Sequence, residues 1–192
     1  MGRQQHPIWR ERDRAMSDRQ TAGRILVLTG HGKGKSSSAF GMALRAAGWQ
    51  KRVCVIQFIK KASRKTGEVQ AAERLGIEWH TMGDGFTWDS PDLERDKATT
   101  RRIWQFCREK MVSAAYDMIV LDEINAVIAW GWLEEAEVVQ WLQVEKPASL
   151  HVILTGRDAP AALIAVADTV TEMVEVKHAF QQGVRAMKGI EL

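Results

Sequence analysis

The stretch LTGHGKGKSSSAFG, residues 28–41, limits the possible folds more than any other part of the chain. It follows a short apolar run, RILVLT (24–29), and precedes a segment from Lys35 to Trp49 that reads as a helix. Strand, glycine-rich turn and helix in that order let backbone N–H groups converge on an anion, with the helix N-terminus adding its dipole. Gly30 and Gly32 keep the turn flexible, His31 sits between them, and Lys33 adds a positive charge. Gly34-Lys35-Ser36 then supplies a lysine able to reach terminal phosphates and a hydroxyl able to bind Mg²⁺, with Ser37 as a second hydroxyl. The usual phosphate-loop pattern departs at one place: Thr29 stands where a glycine is expected.

The rest of the chain supports an open sheet behind that loop. RVCVIQFI (52–59), IEWHTM (77–82), MIVLDE (118–123) and HVILTG (150–155) read as short β-branched strands. Between them GEVQAAERLG (67–76), a long segment from Pro91 to Ala115, and Ala159–Ala167 read as helices, leading into DTVTEMVEV (168–176). Strands separated by helices require crossover connections, hence an α/β fold with a mainly parallel sheet and helices on both faces. Ligands of such sheets sit at the carboxyl ends of the strands. MIVLDE ends in Asp122 and Glu123, where a carboxylate can stand beside a loop-bound Mg²⁺. Loop and acidic strand together predict a P-loop nucleotide-binding protein.

Composition narrows the setting. The net charge is +3, and six arginines against three acids before residue 25 supply all of it. Residues 1–23 therefore read as a mobile basic arm, and the remaining 24–192, Arg24 aside, as one electrically balanced domain without a nucleic-acid-binding face. No apolar run reaches the roughly 18 residues that span a bilayer. Cys54 and Cys107 are too few for a disulfide framework and read as reduced thiols of a cytoplasmic protein.

Taken in order, TGHGKGKSSSAFGMALRAAG, VCVIQFIK, GFTW, VLDE, LTGRDAP, ADTVTEM, KHAF and the terminal KGIEL resemble the P-loop ATP:corrinoid adenosyltransferases, from about Arg24 to Leu192. The family commonly has Asn where His31 stands and Thr-Thr where Ser36-Ser37 stand; the serines preserve the hydroxyl. The resemblance implies a RecA-like P-loop fold and transfer of the 5′-deoxyadenosyl group of ATP to the Co(I) of a reduced corrinoid, with release of triphosphate. It implies that Lys35, helped by Lys33 and the loop amides, neutralises the polyphosphate. Ser36 with Glu123, or else Asp122, would hold Mg²⁺ or Mn²⁺. It implies that Phe86 and Trp88 of GFTW press on the lower face of the corrin and displace its axial ligand, which eases reduction of the cobalt. Arg45 is a candidate phosphate contact by the same resemblance, and an electron-donating reductase and a homodimer are expected partners. Lys60 and Lys61 could face the corrin side chains or water, Arg157 caps a strand end, and His178 reads as a packing residue. Trp104, Trp130, Trp132 and Trp141 read as core or subunit contacts.

Two other classes use such a loop. A partitioning-type ATPase switch carries a signature lysine early in its loop, where this chain has Thr29, and Lys33 falls in the wrong place. A small-metabolite kinase needs an arginine-bearing lid; RRIWQFCRE (101–109) is basic but helical in pattern. A vestigial loop would have lost Lys35 or Ser36, and both are intact.

Overall fold

A computed structural model describes residues 22–61, 66–83, 85 and 93–190. The arm up to residue 21, Phe86 and Trp88 lie outside the described residues, as does the side chain of Lys61. The strands are β1 (Ile25–Thr29), β2 (Val53–Lys61), β3 (Glu78–Gly83), β4 (Met118–Asp122), β5 (His151–Thr155) and β6 (Thr169–Glu172). The helices are α1 (Lys35–Gly48), α2 (Gly67–Arg74), α3 (Leu93–Val112), α4 (Ile124–Ala129), α5 (Glu135–Val144) and α6 (Ala161–Val166), followed by a 3₁₀ turn at Ala179–Gln182.

All six strands pair in parallel, in the order β3-β2-β4-β5-β1-β6. Alternation along each strand divides the interior into two cores. Ile25, Val27, Cys54, Ile56, Ile119, Leu121, Val152 and Leu154 point to one face, where Ile103, Trp104, Cys107, Ile124, Val138 and Leu163 of α3, α4, α5 and α6 cover them. Leu28, Val53, Val55, Val120 and Ile153 point to the other, under α1 and α2. Each fully buried aliphatic side chain contributes about 1.5–3 kcal/mol of transfer free energy, so neither layer is dispensable.

On the second face α1 presents Ala39, Ala43 and Ala46, all buried. Alanine favours the helix and leaves no bulk between its axis and the sheet, so the helix lies close over β4, β5 and β1. α3 carries Glu94 and Asp96 in its first turn and Lys110 in its last, matching the helix dipole at both ends. Trp104 and Trp132 are core residues; Trp130 and Trp141 pack against that core partly buried. Both cysteines are buried free thiols, and burial pushes Cys54 up to about 12. Among the described residues no helix is long and apolar enough to cross a membrane.

Candidate active site

The parallel register builds the site before any side chain is considered. Thr81 of β3 pairs with Gln57 of β2, and Gln57 with Asp122 of β4. Leu121 pairs with Leu154, which sets Asp122 level with Thr155 of β5, and Thr155 in turn pairs with Leu28 at the end of β1. One row of polar side chains thus crosses the sheet to the carboxyl ends of β4 and β5, one step beyond the core beneath α1. The row is hydrogen-bonded throughout. The Gln57 carbonyl oxygen accepts from Trp79 Nε1 at 3.1 Å and Thr81 Oγ1 at 3.0 Å, while its Nε2 donates to Asp122 Oδ2 at 2.9 Å. Thr155 Oγ1 donates to Asp122 Oδ1 at 2.8 Å, and Lys60 Nζ stands 3.7 Å from Oδ2.

The glycine loop closes one end of this row. Gly30 has φ 91°, and a Cβ there would lie 2.5 Å from the carbonyl oxygen of Met173, so only glycine fits beneath the chain that follows β6. Gly34, with φ 114°, begins α1 without a side-chain cap and without an acidic residue in the first turn. The N-terminus of α1 therefore keeps its positive pole for an external anion. Lys35 folds back and donates from Nζ to the carbonyl of Gly32 at 2.7 Å. Burial and the nearby Arg157 lower its pKa, against the opposing pull of Glu123 and Asp158. His31 Nε2 lies 3.1 Å from Asp158 Oδ1, a contact that joins the loop to the segment after β5.

The two acids differ sharply. Asp122 is fully buried, and both its oxygens are already occupied by Gln57, Thr155 and Lys60. Glu123 follows with φ 69° and ψ 16°, a left-handed backbone unusual for a residue with this side chain. Its N–H donates to Thr155 Oγ1 at 2.9 Å. Burial, with Asp122 next, raises its carboxyl to about 7, while Lys60, Lys35 and Arg157 pull the other way. Since burial is the main cause, a further positive charge brought beside this carboxyl would favour its ionised form.

The other sequence candidates scatter. Arg45 is exposed in the last turn of α1. Ten residues at 1.5 Å each place it ~15 Å along the axis from Lys35, so the fold does not bring it to the loop of its own chain. Lys60 does reach the site, lying 5.7 Å over the Phe40 ring of α1 as well as beside Asp122. Arg157 stands close enough to act on both Lys35 and Glu123. His178 caps the 3₁₀ turn by accepting from Phe180 N at its Nδ1, a local structural task. Gln57, Thr155 and Asn125 were not expected. Asn125 Nδ2 reaches the carbonyls of Leu28 and Gly156 at 3.3 and 3.4 Å and ties the ends of β1 and β5 together. A polar residue within or ending an otherwise apolar strand is the one sequence signal that Gln57 and Thr155 offered.

Comparison with known proteins fits this geometry. The solved structure of the flagellar accessory protein FlaH from Methanocaldococcus jannaschii superposes with a TM-score of 0.56 over 79 % of this chain and 71 % of that one, at 11 % identity, a likeness of fold alone. The sequence is 43 % identical to the corrinoid adenosyltransferase of Pseudomonas aeruginosa, covering 98 % of this chain and 96 % of that protein. It is 44 % identical to the enzyme of that name from Escherichia coli K12, over 88 % and 85 %. Against the corrinoid adenosyltransferase CobA of Salmonella typhimurium it is 40 % identical, over 93 % and 90 %. With the family pattern of the ATP:corrinoid adenosyltransferases BtuR/CobO/CobP matching residues 21–192, on a RecA-like P-loop sheet with its glycine loop and acidic strand end in place, the chain belongs to that family.

Proposed function

We propose that this protein transfers the 5′-deoxyadenosyl group of ATP to the cobalt of a Co(I) corrinoid. The carrying observation is the uncapped start of α1 behind the glycine loop, with Lys35 and Glu123 within electrostatic reach of each other, in a chain so similar to corrinoid adenosyltransferases over its length. Co(I) supplies the electron pair for the new Co–C bond. As that bond forms, the C5′–O bond breaks and its electrons leave with the triphosphate. No proton moves in this step, so no general base is required. The protein must hold the two substrates in line and stabilise the charge that gathers on the leaving group.

Lys35 turns from the Gly32 carbonyl to the polyphosphate, and the first-turn amides of α1 add their dipole. Gly30, His31, Gly32, Lys33, Gly34 and Ser37 shape the cradle around it. The donors present fit a divalent cation, because the Ser36 hydroxyl in the first turn of α1 and the Glu123 carboxyl at the end of β4 are hard oxygen ligands. Ser36 and Glu123 would hold Mg²⁺ or Mn²⁺, hard cations that oxygen ligands accept. Bound there, the ion would supply positive charge to the departing triphosphate, beside that of Lys35. Asp122 supports this arrangement from beneath. Phe86 and Trp88 meet the lower face of the corrin, an electron-donating reductase supplies Co(I), the enzyme acts in the cytoplasm, and two copies form the working dimer.

The test is anaerobic: protein, ATP, Mg²⁺ and chemically reduced corrinoid, followed by visible absorbance and an assay for inorganic triphosphate. A light-sensitive alkyl-cobalt spectrum rising one-for-one with triphosphate is expected. ADP and phosphate with an unchanged corrinoid would return the protein to the ATPase-switch class.

A further inference from the structure

We infer that Thr155 is a positioning residue for the metal-binding arm of Glu123, an inference that rests on the reading of Glu123 given above. Thr155 is wholly buried, yet its hydroxyl is used twice. It donates to Asp122 Oδ1 at 2.8 Å and accepts from the N–H of Glu123 at 2.9 Å. A hydroxyl has one proton, so the first bond fixes its direction and leaves its lone pairs facing Glu123. That second bond holds a non-glycine residue at φ 69°. A left-handed glutamate is costly, by order ~1–3 kcal/mol, and persists only where its surroundings over-determine it. Here the over-determination is visible: Thr155 pins the N–H of Glu123, and α4 starts immediately after it with Ile124 and Asn125 completely buried.

Asp122 thereby takes a different part from Glu123. Gln57 and Thr155 hold its two oxygens, and it orients the Thr155 hydroxyl as the carboxylate behind a metal-bound histidine orients the imidazole. The row from Thr81 through Gln57 and Asp122 to Thr155 is a backing for one backbone N–H. Its purpose is to aim the Glu123 side chain past the end of β4 toward Lys35, rather than into the core where an extended backbone would send the next residue.

The experiment compares wild type, Thr155→Ser, Thr155→Val and Glu123→Gln. The first readout is calorimetric titration of ATP with and without Mg²⁺, in the absence of corrinoid so that nothing turns over. The ratio of the two affinities is the metal's share of nucleotide binding. Thr155→Val is expected to reduce that share by ~10–100-fold, the usual cost of losing a group that orients a metal ligand. Thr155→Ser, which keeps the hydroxyl, should stay near wild type, while ATP affinity without metal should hold in both. The second readout is the double variant Thr155→Val/Glu123→Gln, which should bind Mg·ATP no worse than Glu123→Gln alone, because one effect acts through the other. If Thr155→Val folds poorly, Thr155→Ala serves with the same readouts. An unchanged metal share in Thr155→Val with a collapsed share in Glu123→Gln overturns the role of Thr155 and leaves the site intact. An unchanged share in Glu123→Gln itself overturns the metal reading of that residue, and the inference with it.

Discussion

Glu78 and Glu123 are the same amino acid two strands apart in one sheet, and the fold treats them in opposite ways. Glu78 opens β3 at the amino edge, on the α3 face. Burial there would raise its carboxyl, but hydrogen bonds from Lys110, Tyr116 and His80 outweigh burial and bring it down to about 2. Lys110 Nζ and His80 Nε2 both stand 2.6 Å from its Oε1, and Tyr116 donates to Oε2 at 2.5 Å. Glu123 follows β4 at the carboxyl edge and is raised to about 7. The first carboxylate is held ionised by its hydrogen-bond donors; the second is kept from ionising chiefly by burial, against the pull of three cations. Cys54 joins Glu78 and His80 in a group whose donor atoms lie within 4.8 Å of one another, but Lys110 already occupies the cation's part there, and the Cys54 thiol resists ionisation. A carboxylate already satisfied serves the fold, and one that burial holds back from ionising is open to a ligand.

The strongest way to break that contrast is at the loop lysine. Lys35→Ala should lower kcat/KM for corrinoid adenosylation by at least ~100-fold, in the range seen when a group stabilising transition-state charge is removed, with unfolding unchanged. Near-normal turnover would remove the loop lysine from the mechanism. Next comes Glu123→Gln, expected to cost ~10–100-fold in activity and to raise the Mg²⁺ requirement. The nucleotide-free protein should be as stable as wild type or more so, since a poorly solvated charge has gone; a large loss in thermal unfolding would make Glu123 a structural residue after all. Glu78→Gln should do the reverse. Its side chain is 39 % exposed, so solvent screening limits the loss to about 1 kcal/mol in urea unfolding, with adenosylation unaffected. The smallest effect is a slope. Because the folded pKa of Glu78 lies below its ordinary 4.5, its contribution is fully present above that pH and fades as pH falls toward about 2. Denaturation series at pH 6, 4.5 and 3 should show wild type converging on Glu78→Gln; parallel curves would mean that the network holds no preference for the charged form.

The sequence made some of this legible and concealed the rest for identifiable reasons. β1, β2, β4 and β5 are apolar runs buried on two faces, and such runs announce themselves. The glycine loop did too, since its spacing is local. β6 did not: TVTE is an exposed edge strand whose pairing with β1 depends on a segment 143 residues earlier. α4 was hidden because its start is set by the left-handed Glu123, and glutamate carries no sign of that conformation. Arg45 is a candidate by family resemblance alone, and α1 carries it about three turns away from its own loop. Gln57 and Thr155 were missed because a hydrogen bond between residues 65 or 33 apart has no local signature. Their partners are chosen by strand order, which a single chain does not spell out.

β5 has a consequence of its own. It lies between the strand that delivers the phosphate loop and the strand that delivers the acids. Two inter-strand steps of ~4.8 Å hold loop and acid ~10 Å apart, a distance kept by main-chain hydrogen bonds rather than by any side chain. The spacing therefore survives nearly every point substitution. It does not survive the loss or gain of one residue within β5, which would carry Thr155 out of line with Asp122 and turn Val152 and Leu154 toward the wrong core. Inheritance at this site is guarded against letters being changed but is exposed to letters being dropped.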